Sequence, residues 1–201
     1  MGISSLTNCI NSDWQLSCTP LSAGYAKCYA EPYMINTLPE LIIKSGYIPG
    51  SIGRISELHG IYYHDHWGFG VYFEAKVATE LSDFLNRFDK DKDGIWFATV
   101  NGRIEGSIII DGSHDLDKGA HLRWFIVSDA LRGKGAGRKL INVAIDFCRS
   151  KGYPRIYLWT FAGLSAAGYL YEDVGFKLIK QQSGIQWGTE VNEQYFELRN
   201  E

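Results

Sequence analysis

The sequence predicts an α/β (α+β) layered domain, with helices flanking a central mixed sheet. Three observations carry that expectation. Apolar residues recur at helical spacing in three separate stretches, 52–66, 73–88 and 138–151. Short apolar runs lie between and after them, and two of these flank Asn101-Gly102, the signature of a tight hairpin. A further strand runs into a glycine-rich turn and straight on into a helix over residues 124–138.

Taken in order, residues 1–39 carry scattered Ser, Asn, Thr, Gly and Pro without a sustained period. They read as an N-terminal extension packed on a domain that spans 40–201, with one short docked helix around Tyr25, Tyr29, Tyr33 and Met34. Leu41–Ile48 is a first strand that stops at Pro49-Gly50-Ser51. Ile52–His66 and Phe73–Phe88 are amphipathic helices separated by Gly68-Phe69-Gly70. Ile95–Val100 and Ile104–Asp111 form the hairpin, Gly112–Gly119 is a polar loop, and His121–Val127 is the next strand. Arg138–Lys151 is a helix, Arg155–Thr160 a strand, and Ser165–Val174 a helix that stops at Gly175-Phe176. Lys177–Gln181 and Glu193–Leu198 complete the sheet.

The 201 residues suit one domain with an extension, and 45% hydrophobic residues can fill a sizeable core. Twenty basic and 23 acidic residues leave a net charge of −3, so no global field draws the chain to nucleic acid or an anionic membrane. No apolar run approaches a membrane span and no signal peptide is evident, which makes the cytoplasm the expected location. Cys9, Cys18, Cys28 and Cys148 form no C-x-x-C pair, and Cys148 falls on the core face of a helix.

The most informative segment is Arg132-Gly133-Lys134-Gly135-Ala136-Gly137-Arg138. Glycines permit unusual φ and let backbone N–H groups converge on an anion. The helix that follows adds unpaired N–H donors and the positive end of its dipole. Arg132, Lys134 and Arg138 add charge, and together these features describe a pyrophosphate cradle. A Walker loop would end in Gly-Lys-Ser/Thr, and a dinucleotide fingerprint would place glycine where Arg138 stands.

Arg132-Gly-Lys-Gly-Ala-Gly137 resembles the Q/R-x-x-G-x-G/A signature of the GNAT superfamily of N-acetyltransferases. Tyr171-Glu-Asp-Val-Gly-Phe176 resembles the family's Tyr-x-x-x-Gly-Phe motif, at the expected separation. The likeness covers residues 41–199 and is greatest to acetyltransferase domains fused behind MarR-type DNA-binding domains, where stretches like 58–63, 73–75, 83–84 and 157–160 recur. With no room for a MarR-type domain before residue 41, this chain would be a stand-alone version. The resemblance implies a mostly antiparallel sheet with one splayed strand pair, and acetyl-CoA as cosubstrate. It implies that backbone amides of Arg132, Gly133, Lys134, Gly135, Ala136, Gly137 and Arg138 bind the pyrophosphate. It further implies that Ile126 and Val127 offer backbone groups to pantetheine and the acetyl carbonyl. Tyr171 would protonate the leaving thiolate, and a phenol suits that role because it stays protonated at neutral pH. Family members often carry Asn seven residues before that tyrosine. Here the position is Leu164, which leaves Ser165 as the candidate replacement.

The resemblance places the first two helices beside the acceptor, making Tyr63, His64, Trp67, Phe69 and Glu74 candidates for its pocket. Glu74 and His59 are candidate general bases, and Glu105 is a further acidic candidate on the sheet. Asp89-Lys-Asp-Lys-Asp-Gly94 begins like a calcium loop, but Val100 stands where a bidentate Glu is needed, so a solvated turn is expected. No metal site is expected from His64 and His66. The expected function is transfer of an acetyl group from acetyl-CoA to a small-molecule or peptide amine. The alternative is a non-catalytic acyl-CoA-binding sensor or interaction module on the same fold. A homodimer through edge strands or the final strand at Tyr195–Leu198 is left open.

Overall fold

The computed structural model describes residues 14–20, 26–32, 40–112 and 119–200. The chain divides into two compact units, Met1–Leu38 and Pro39–Glu201. In the first, β1 (Trp14–Pro20) pairs antiparallel with β2 (Ala26–Pro32). The helix expected around Tyr25–Met34 is therefore replaced by a strand over its central part: backbone pairing with a preceding segment outweighs a weak helical spacing. Tyr25, Tyr33 and Met34 themselves lie outside the described residues, as do residues 113–118 of the expected polar loop.

The second unit runs β3 (Leu41–Ser45), α1 (Ser51–Trp67), α2 (Val71–Asn86), β4 (Gly94–Val100), β5 (Arg103–Asp111), β6 (Ala120–Val127), α3 (Ala136–Ser150), β7 (Arg155–Phe161), α4 (Ser165–Asp173), β8 (Lys177–Gly184) and β9 (Val191–Arg199). The order and type of elements from residue 41 onward are those expected. The seven strands lie in the order β3-β4-β5-β6-β7-β9-β8, and every pairing is antiparallel except β6 with β7. The final strand β9 is thus interior, flanked by β7 and β8. Its backbone is paired on both sides, which removes it as a dimer edge and corrects that expectation.

Each face of the sheet buries its own core. Helix α3 places Leu140, Ile141, Ala144, Ile145 and Cys148 on one face, against Ile108, Ile110, Leu122, Ile156 and Leu158. It starts at Gly135 (φ 73°) and ends in a Schellman turn, with Gly152 N–H on the Arg149 carbonyl and Tyr153 N–H on that of Cys148. On the opposite face α1 and α2 bury Ile55, Phe73, Val77, Leu81 and Phe84 against Phe97, Ile109, Trp124 and Phe161. The β4–β5 hairpin turns at Asn101 and Gly102, both with positive φ as a two-residue primed turn requires. The 89–94 turn is less solvated than expected. Asp93 is buried, and its carboxylate accepts the Asp89 and Gly112 amides at 2.9 and 2.8 Å.

Candidate active site

Parallel strands β6 and β7 pair only at Ala120↔Ile156 and His121↔Tyr157, although β6 continues to Val127 and β7 to Phe161. Beyond those two pairs the strands splay, and a cavity of about 680 Å³ occupies the split. A bulge helps to create it. Between the pairs Ser107↔Ile126 and Ile109↔Arg123, β6 uses one residue more than β5, and Trp124 adopts φ 45°. Two consecutive side chains thereby lie together on the α1/α2 side, with the Arg123 guanidinium 4.0 Å over the Trp124 ring.

The split leaves one edge of β6 unpaired. Ser128 N–H donates to the Glu105 carbonyl, and the Ile126 carbonyl faces Gly106, so both point toward β5. Alternation along the strand then turns the Val127 N–H and C=O to the open edge. At the end of that edge lies the turn 132–138. Gly133 (φ 74°) and Gly135 (φ 73°) have no atom within 4 Å of where a Cβ would stand, so conformation rather than crowding demands glycine there. Gly137 is different: a Cβ would stand 3.3 Å from Leu170, so its absence lets α3 begin close to α4. The first-turn amides of α3 have no intrahelical acceptor. The donor set of open amides and a dipole end suits the pyrophosphate of a CoA thioester.

Gly133, Gly135, Ala136 and Gly137 line the cavity with Arg132, Ile126, Val127, Tyr171 and His59. Lys134 and Arg138 are exposed beside it, Arg138 paired with Asp173, and Arg132 reaches Asp129 at 2.5 Å. Ser165 is exposed and outside the lining, where Leu164 and Ala167 stand instead. Glu74 also lies outside it: its side chain rests on α1 at Gly60. Of the other residues expected near the acceptor, only Tyr63 lines the cavity. Phe69 is core, and Trp67 packs on Phe161. The His64 and His66 rings bond backbone carbonyls at the end of α1. Glu105 pairs with Arg54 at 3.0 Å, away from the cavity.

Tyr171 is 5% exposed and ringed by Phe125, Phe176 and Phe196. Burial, reinforced by the nearby Tyr63 phenol, holds its hydroxyl far above the ordinary tyrosine range, so it is a permanent donor at neutral pH. Tyr169, two residues earlier on α4, is 73% exposed. His59 is buried and its pKa is pushed down to about 4, because burial outweighs its bond to the Ile55 carbonyl at 2.8 Å. A carbonyl only accepts, so Nδ1 carries the proton and Nε2 is left as an acceptor.

Sequence reasoning missed three groups on the α1/α2 side. Lys76, Glu80 and Arg123 line the cavity, with Glu80 paired to both cations. Gln186 and Trp187 reach it from the β8–β9 turn. Glu80 sits at helical spacing from Phe73 and Val77, which is the one sequence signal that places it near the sheet.

A family model described as the acetyltransferase (GNAT) family matches residues 55–176. N-acetylaspartate synthetase of Xenopus tropicalis is 30% identical over 117 residues, or 58% of this chain and 43% of that protein. The chain therefore spans less than half the length of that relative. A GNAT-family acetyltransferase from Staphylococcus aureus superposes with a TM-score of 0.63 at 19% identity, covering 79% of this chain and 99% of that one. An acetyltransferase from Salmonella typhimurium, solved with its cofactor acetyl-CoA, superposes with a TM-score of 0.61 at 17% identity, covering 81% and 95%. The two superpositions show a shared fold, and the family match shows the lineage: this chain belongs to the acetyltransferase (GNAT) family.

Proposed function

We propose that the chain is an acetyl-CoA-dependent N-acetyltransferase working by direct attack of an amine on the thioester, with 40–201 as the catalytic domain and 1–39 as an extension. The observation that carries this reading is the single cavity that joins the glycine turn, the open β6 edge and Tyr171 on one side to α1 and α2 on the other. Pyrophosphate at 132–138 and pantetheine along Val127 would bring the thioester into the split, where the Val127 N–H polarises the acetyl carbonyl. The amine nitrogen attacks the carbonyl carbon, a C–N bond forms and the C–S bond breaks. Tyr171 passes its proton to the departing sulfur as charge builds there, and regains a proton released by the amine. His59 Nε2 or Glu80 would accept that amine proton on its way. Holding amine and thioester together in one slot supplies much of the rate.

The acceptor we infer is an amine that also carries a carboxylate. Lys76 and Arg123 provide ammonium and guanidinium donors in the acceptor half, and the Xenopus relative is named for aspartate acetylation. The likeness to domains fused behind MarR-type DNA-binding domains stays part of this proposal, carried by stretches such as 58–63 and 157–160. No helix among the described residues is long and apolar enough to cross a membrane.

CoA release from acetyl-CoA, measured with aspartate, asparagine and a wider amine panel, tests the reading. Amine-dependent release that falls at least ~10-fold in Tyr171→Phe supports it. Acetyl-CoA binding with no transfer to any amine would favour an acyl-CoA sensor, for which Leu164 in the cavity wall is the relevant observation.

A further inference from the structure

The β8–β9 hairpin ends in a turn, residues 185–190, that delivers Gln186 and Trp187 to the cavity. What holds that turn is a buried acid. Glu193 on β9 is 4% exposed, and its partners across the sheet are Phe161 on β7 and Gln182 on β8. Its carboxylate accepts the Gln186 backbone N–H at 3.0 Å and the Gln182 amide at 3.4 Å. Among the described residues no Lys, Arg or His nitrogen lies within 4.0 Å of it. A buried carboxylate without a cation depends on such donors, so the acid and the turn hold each other in place.

Two glycines are cut to this arrangement. A Cβ on Gly184 would stand 2.2 Å from the Glu193 carboxyl group, so any larger residue there would have to push the acid out of its place. A Cβ on Gly188 would stand 2.4 Å from the Tyr72 ring, and its φ of 82° is one L side chains rarely adopt. Gly188 therefore seats the far side of the turn on the first residues of α2. Pinned at both ends, the turn sets Trp187 5.5 Å from the Phe161 ring, partly buried against the core cluster of α1 and α2. The glycine turn, Val127 and Tyr171 belong to other elements and make none of these contacts.

We propose that Glu193 is a positioning residue that straps the 185–190 turn over the acceptor half of the cavity, and that Trp187 on this strap limits which amines enter. The proposal rests on the acetyltransferase reading for its substrate, but the strap is tested without one. Hydrogen exchange on the full chain should show protected amides at 185–188. Glu193→Ala should raise their exchange at least ~10-fold while β7 and α4 stay protected. Glu193→Gln, whose amide oxygen still accepts from Gln186, should restore part of the protection. Should the alanine variant fold poorly, Gly184→Ala attacks the same contact from the opposite strand and should loosen the same amides. In aspartate and bulkier-amine assays, Glu193→Ala and Trp187→Ala should move the acceptor KM at least ~5-fold. Their acetyl-CoA affinity and kcat should stay within about twofold. Unchanged exchange at 185–188, or equal loss of acetyl-CoA affinity and acceptor KM, overturns the strap. A chain that binds acetyl-CoA but acetylates no amine sinks the catalytic reading alone, because the exchange result still decides the role of Glu193.

Discussion

At its glycine-turn end the cavity is walled largely by backbone: the turn at Gly133, Gly135, Ala136 and Gly137, and the free edge of β6 at Val127. At its helix end it is walled by side chains: His59 and Tyr63 from α1, Lys76 and Glu80 from α2, Arg123 from the bulged strand, Gln186 and Trp187 from a turn more than 60 residues further on. The first end comes from one continuous stretch, the second from four separate elements. A backbone-built site is tuned to a constant ligand, since every residue offers the same N–H. A side-chain-built site can change with its residues while the fold stays the same. That contrast matches a shared thioester donor and an acceptor that differs among family members.

Acidification is the strongest way to break the helix end. His59 titrates at about 4 when folded and near 6.5 when unfolded, so the unfolded chain binds the extra proton first. Stability contributed by its neutral ring is complete above pH 6.5 and is lost as pH falls toward 4, by about 3 kcal/mol in all. Denaturant melts across that window should show the slope, and His59→Gln should flatten it. A bulky group at the glycine-turn end comes next. Gly137→Phe should lower acetyl-CoA affinity ~100-fold by calorimetry, since the ring must displace Leu170 or fill the cradle. The circular dichroism of the variant should remain that of the wild type.

Tyr171→Phe sits between the two ends and should cost ~10-fold or more in kcat, with acetyl-CoA affinity preserved. Tyr169→Phe, on the exposed side of the same helix, should change neither. The smallest effect expected is on discrimination. Arg123→Gln should narrow a preference for aspartate over asparagine by ~10-fold, the worth of one charge-assisted hydrogen bond. If it lowers both rates alike, Arg123 supports the fold and does not read the acceptor.

Much of the domain was legible along the chain. Helices α1 to α4 and the strands from residue 41 onward appear where apolar period and Gly/Pro punctuation put them, because burial on one face imposes that period. Tyr171 and the 132–138 turn were legible because their neighbours in sequence are their neighbours in space. Glu74 was singled out over Glu80 although both are on α2. The difference is which side of the helix meets the sheet, and packing of Glu74 on Gly60 turns it to α1. Ser165 failed as a cavity residue for a similar reason, since α4 turns Leu164 and Ala167 inward instead. The β1–β2 hairpin was missed because a segment without period carries no record of its pairing partner.

The sequence by itself determined the fold class, the strand and helix order from residue 41 onward, and the glycine-rich turn ahead of α3, since each follows from local periodicity or from contiguous residues. Only the tertiary structure decided that β9 is interior, that β6 and β7 part after two pairs, and that Glu193 reaches back to the Gln186 amide. Those outcomes depend on strands distant in sequence competing for the same partners, and on side chains that meet only after the sheet is assembled.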